Sequence, residues 1–79
     1  MRYAVAMSTQ PVNYQIRVQG HLSDTLSDWF APLQIDNEPT GEATLTGPVR
    51  DQAELYGILI KLYNFNFTLI SVQRLAAAV

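Results

Sequence analysis

From Tyr14 to Leu22 the chain alternates: Tyr14, Ile16, Val18 and Leu22 share one face, and Gln15, Arg17, Gln19 and His21 share the other. Period two predicts a strand with one buried and one wet face, and Gly20 marks a bend near its end. Ser23 or Asp24 then caps a short helix, because Leu26, Trp29 and Phe30 recur at i, i+3 and i+4. Both aromatic residues are expected in the core, and Pro32 stops the helix. Leu33 to Asn37 is a short second strand with Leu33 and Ile35 inward. Asn37 to Glu42 carries Asn, Pro and Gly, as a hairpin loop does. Ala43 to Gly47 is the third strand, ended by the Gly47-Pro48 pair.

The best-specified segment follows. Leu55, Ile58, Leu59 and Leu62 recur at i, i+3, i+4 and i+7, one buried helical stripe over Gln52 to Phe65. Asp51 is placed as N-cap with Glu54 three residues on, a capping box with Asp in the Ser/Thr place. Gly57 inside the helix costs about 1 kcal/mol against Ala, which either close helix–sheet packing or drift explains. Asn66 fits the left-handed position after the helix, with Phe67 packing back on the last turn. Thr68 to Leu75 is the fourth strand, and Ala76 to Val79 a small-residue tail. Met1 to Val12 is expected to be a mostly disordered arm, so that one domain covers residues 13 to 75. Either Met1 or Met7 could be the native start.

The order strand–helix–strand–strand–helix–strand places the chain in the α+β class. Two crossover units joined by a hairpin give a four-stranded antiparallel sheet of order 4-1-3-2 with both helices on one face, the ferredoxin-like plait. The open face is then polar: Gln15, Arg17, Gln19, His21, Gln34, Asp36, Thr44 and Thr46.

Composition narrows the function by exclusion. The 79 residues hold no Cys and one His, so thiolate chemistry, disulfides and a multi-histidine metal site within one chain are ruled out. No cofactor is expected. A cysteine-free small domain points to the cytoplasm. Net charge is −2 with five Lys+Arg, which gives no basic footprint for nucleic acid. RNA-binding plaits also carry aromatic residues on their central strands, where this chain carries Gln, Arg and Thr. No apolar run approaches the roughly 20 residues of a membrane span.

Candidate chemistry is sparse. Arg17, Gln19 and His21 form a polar candidate ligand surface, although a solvated Arg17 paired loosely with Asp36, and a His21 that caps a strand end, need no ligand. Trp29 and Phe30 could cage a ligand, but their helical spacing favours core. Asp51 and Glu54 are explained by capping. Tyr56 and Tyr63 lie off the leucine stripe and could face a partner. Thr68, Leu69, Ile70, Ser71 and Val72 form a candidate dimer edge: an edge strand rich in β-formers, without charge or Pro, is a pairing template. Leu69 faces opposite to Ile70 and Val72 in a regular strand, so one set should lie off the covered face. These features predict a homodimer, with another protein as the alternative partner.

Two resemblances add to this. Through Tyr14, Ile16, Val18, Gly20-His21-Leu22, Trp29-Phe30, Leu45-Thr46-Gly47-Pro48-Val49, Asp51-Gln52-Ala53, Leu55, Gly57 and Leu69-Ile70-Ser71-Val72, the chain resembles a group of small uncharacterised bacterial proteins. That resemblance implies a plait and no activity. The element order also resembles that of acylphosphatases. Val18-Gln19-Gly20 looks like the start of their phosphate cradle, Gly47-Pro48 precedes the second helix, and Asn37 sits where their water-positioning Asn would be. Their cradle ends in an Arg four residues after the glycine; here that residue is Asp24. A carboxylate there repels an anion and removes the main transition-state clamp. A non-catalytic binding, assembly or regulatory module acting as a homo-oligomer is therefore expected, with an acylphosphatase-like hydrolase as the alternative.

Overall fold

The computed structural model describes residues 11–75; the expected arm before residue 11 and the tail after residue 75 lie outside this range. The elements are β1 (Val12–Gln19), α1 (Asp24–Trp29), β2 (Gln34–Asn37), β3 (Glu42–Val49), α2 (Gln52–Asn64) and β4 (Thr68–Arg74). The four strands make one antiparallel sheet in the order β2-β3-β1-β4, which is 4-1-3-2 read from the opposite edge.

Facing residues of paired strands share a face, so the register divides the sheet. Val12, Tyr14, Ile16 and Val18 oppose Val49, Gly47, Leu45 and Ala43. Ile16, Val18, Ala43, Leu45 and Val49 are buried, in one cluster with Leu22, Phe30 and Leu33 and with Leu55 and Leu62 of α2. Leu26, Ile58 and Leu59 pack against the same cluster. Residues of both helices thus cover this face, and the arrangement is compatible with the expected plait. The other face carries Gln15, Arg17, Gln19, Gln34, Asp36, Thr44 and Thr46, as the alternation predicts, but not His21, which lies beyond the end of β1.

Several boundaries differ from expectation for physical reasons. β1 begins at Val12, inside the segment expected to be an arm, because Val12 pairs with Val49. It ends at Gln19, where Gly20 turns at φ 114° and gives its N–H to Gly41 O at 2.7 Å. A Cβ at Gly20 would also crowd the Phe67 ring at 3.1 Å. β3 runs through Gly47-Pro48 to Val49 rather than ending there. The β2–β3 pairing stops at Gln34↔Thr46, so Pro48 lies where β3 has a vacant flank, the setting a strand proline requires. Gly47 lets Leu33 close over the strand: a Cβ would come within 2.9 Å of Leu33 Cδ2 and 3.2 Å of its Cα.

α2 is capped at both ends by its own sequence. Glu54 N–H donates to Asp51 Oδ1 at 2.9 Å, and Glu54 Oε1 accepts from Arg50 N–H at 2.6 Å, one residue before the position a capping box uses. At the other end Asn66 is left-handed at φ 70°. Phe67 N–H reaches Leu62 O at 3.0 Å and Asn66 N–H reaches Tyr63 O at 2.9 Å, a Schellman closure. The stripe is narrower than expected: Leu55 and Leu62 are buried, whereas Ile58 and Leu59 are only partly so. Nothing lies within 4 Å of a Cβ at Gly57, so close packing is not the reason for this glycine. Trp29 also departs from expectation. Phe30 is core, but Trp29 is 56% exposed and meets Phe65 edge-on at 5.2 Å.

Candidate functional site

The polar candidates on the open face are held by one neighbour, the hairpin between β2 and β3. Arg17 pairs with Glu42, not with Asp36. Gln19 Nε2 approaches Gly41 O at 3.4 Å, and His21 Nε2 donates to Glu38 O at 2.6 Å. Thr44, buried at the centre of this face, donates to Glu38 Oε2 at 3.1 Å. These contacts fasten the hairpin over the end of β1. Arg17 opposes Thr44, which itself opposes Asp36 and donates to Glu38, so with Glu42 three carboxylates surround this one cation, a setting that favours no added anion.

The loop resembling a phosphate cradle is closed in the same way. Gly20 N–H is given to Gly41 O. Asn37 spans the loop with both ends of its amide: Leu22 N–H donates to Oδ1 and Nδ2 donates to Leu22 O, each at 2.9 Å. Ser23 caps α1 by accepting from Leu26 N–H, and Asp24 is the first residue of that helix. A cradle needs free backbone donors converging on an anion; here the donors of Gly20 and Leu22 are spent within the chain. The sequence places Asn37 at the end of the second strand, at the start of the hairpin and, by resemblance, as a water-positioner, but does not reveal this clamp. Its signal was local, an Asn at the end of a strand facing a Gly-containing bend.

The aromatic candidates separate. A cleft of about 190 Å³ between the end of α1 and α2 is lined by Trp29, Phe30, Pro32, Ile58 and Lys61 among others. It is smaller than the ~300 Å³ at which ligand pockets begin. Lys61 Nζ, its nearest cation, donates to Trp29 O at 3.2 Å and sits 5.7 Å above the Phe30 ring. That contact places positive charge at the C-terminal end of α1, where the helix carbonyls favour it.

Tyr56 and Tyr63 are exposed on α2, on the helix side of the sheet, and so are not brought together with Arg17, Gln19 and His21. α1 crosses from β1 to β2 and α2 from β3 to β4, so α2 lies on the β4 side of the molecule. At roughly 100° per residue, Leu55 and Leu62 face the sheet, and Glu54, Ile58 and Lys61 face α1. Tyr56, Ile60 and Tyr63 then occupy the flank that looks past α1 towards the β4 edge. Ile60, 58% exposed, is the residue of this flank that the sequence reading passed over. Its wheel position outside the leucine stripe is the signal that finds it.

β4 itself is irregular. Val72 opposes Ile16 and Ser71 opposes Arg17, but Val18 opposes Leu69, so Ile70 is an extra residue in a β-bulge. The bulge corrects the expected facing. Leu69 and Val72 both lie on the helix-covered face, with Thr68, Ser71 and Gln73 on the open face. Leu69, Ile70 and Val72 nevertheless remain 48%, 44% and 37% exposed, because no strand flanks β4 among the described residues.

No helix among the described residues is long and apolar enough to cross a membrane. No curated protein and no solved structure matches the chain. A family model described as a domain of unknown function (DUF8691) matches residues 13–73, a span that runs from β1 into β4 and takes in every element, so the chain belongs to that family.

Proposed function

We propose that this domain is a non-catalytic ferredoxin-like plait that works as a binding, assembly or regulatory module by associating with itself, in the cytoplasm and without a cofactor. The observation that supports this reading is the β4 edge. It is seven residues long, is paired on one side only among the described residues, and carries no charge before Arg74. Natural edge strands are guarded by charge, proline or brevity. The opposite edge, β2, is four residues long and carries Asp36. β4 has only its bulge. The polar residues that might have served a ligand are engaged in fastening the hairpin, which leaves association as the role the surface favours. The cysteine-free composition fits a reducing compartment.

Light scattering after gel filtration of the full chain at tens of micromolar tests the reading. A mass near twice 8.8 kDa supports it, and a mass near 8.8 kDa overturns it. Acetyl phosphate should be hydrolysed only at the background rate.

A further inference from the structure

The exposed apolar residues of α2 and β4 form one surface. Tyr56, Ile60 and Tyr63 occupy the α2 flank nearest the edge, at 57%, 58% and 78% exposure. Leu69 and Val72 lie below them on the same side of the sheet, by their pairing with Val18 and Ile16. With Ile70 these side chains leave on the order of 600 Å² of area in water, at the top of what a monomer's largest patch shows. A standard interface takes about 800 Å² from each partner. The patch and the bare β4 backbone together supply an area of that order.

We infer that this surface binds a second copy of the chain through a two-fold axis beside Ser71, with β4 pairing antiparallel to β4 and the two α2 flanks meeting above the seam. The inference rests on the self-association proposed above and adds its geometry. In an antiparallel pair, facing residues share a face. With Ile70 set aside as the bulge, a register centred on Ser71 satisfies that rule along the strand. Ser71 faces Ser71, Val72 faces Leu69 of the second copy, and Gln73 faces its Thr68. The apolar pairs fall on the helix side and the polar pairs on the open side. Other centres do worse: centring on Ile70 puts the bulge on the axis, centring on Val72 leaves Leu69 without an apolar partner, and centring on Leu69 pairs only residues 68 to 71 before the strand runs out. An isologous contact of this kind closes at two copies.

The helices fit the same axis. α2 contacts β3 and β4, the strands on either side of β1, so with each helix centred there two α2 axes would stand about 14 Å apart at a strand spacing of about 4.8 Å. Directly packed helices stand about 8–10 Å apart. The gap requires long side chains, and Tyr56 and Tyr63 are the long residues on that flank. Across the seam Glu54 and Lys61 point away, towards α1, so no described α2 charge is forced into the contact.

The absence of cysteine gives a clean test. Full-length Ser71→Cys should form a covalent dimer under mild oxidation, because facing strand residues bring their Cβ atoms within about 4.5–5.5 Å, close to disulfide reach. Gln15→Cys, on the open face two strands from the axis, should not. Tyr63→Glu should raise the dissociation constant at least roughly tenfold, with its circular dichroism unchanged, since Tyr63 is mostly in water in the single copy. If light scattering shows a dimer but Gln15→Cys crosslinks and Ser71→Cys does not, the open faces meet, and this geometry is overturned while self-association stands. If Ser71→Cys crosslinks but Tyr63→Glu dimerises as tightly as the parent, the α2 seam is overturned. A mass near 8.8 kDa at every concentration overturns the geometry and the self-association together.

Discussion

Single residues in this chain act chiefly on the backbone. Asn37 satisfies both main-chain groups of Leu22, a buried residue outside any strand. Asn37→Ala leaves that N–H and C=O without partners and should cost about 1–3 kcal/mol in a urea melt. Gly57 is the opposite case. Its Cβ would meet nothing, so Gly57→Ala should stabilise the helix by about 0.5–1 kcal/mol and raise the melting temperature. An unchanged or lower melting temperature would mean that Gly57 is held for a contact outside the single copy. Neither role was legible from residue type alone. Gly57 was open between packing and drift, and the empty space around it decides the point. Asn37 was legible as a loop residue, but its partner lies fifteen residues away in sequence across a fold that had to be known first. Arg17 is decided by strand order: Glu42 lies diagonally across on β3, the neighbour of β1, whereas Asp36 lies one strand further away on β2.

At the scale of elements the sequence was more informative, because period and capping are local. The α2 caps at Asp51 and Asn66 follow from residues within one turn. The stripe angle also followed, though its width did not. Leu62 is fully covered and Leu59 only partly, since a helix lying on a four-stranded sheet buries a narrow face. Leu62→Ala should therefore cost about 2–5 kcal/mol, and Leu59→Ala distinctly less, both read from chemical denaturation at constant slope. Equal costs would show that α2 is rotated from its assigned angle. Trp29 and Phe30 share the spacing of an apolar stripe, yet α1 ends at Trp29 and buries none of its six residues, and only its C-cap Phe30 enters the core. The β4 bulge was not readable, because an extra residue leaves no mark in a run of β-formers. It reverses the facing of everything before it, which is why Leu69 joins Val72 rather than opposing it.

The whole molecule is a small sheet with one well-fastened side and one bare side. The β2–β3 hairpin is tied to β1 through Arg17, His21 and Gly20, and the short β2 edge carries a carboxylate. Among the described residues the β4 edge has no side-chain hydrogen bond and a single charge, Arg74 at its end, and α2 adds an apolar flank to it. A domain of this size buries only about 60% of its unfolded surface, so covering that side by association should add stability that depends on protein concentration. The midpoint of thermal unfolding should rise as the chain is concentrated from below one micromolar to about one hundred; a midpoint independent of concentration would place the stability in the single copy.

The bare edge can be observed directly. In a strand at a sheet edge, alternate N–H groups bond to the neighbour and the rest point outward. Amide hydrogen exchange across residues 68–74 distinguishes the two sets. The account predicts that the outward set exchanges freely in dilute protein and becomes protected as concentration rises, while the set bonded to β1 is protected throughout. Fast exchange of the outward set at concentrations where light scattering shows a dimer would contradict the claim that β4 is the surface on which this protein assembles.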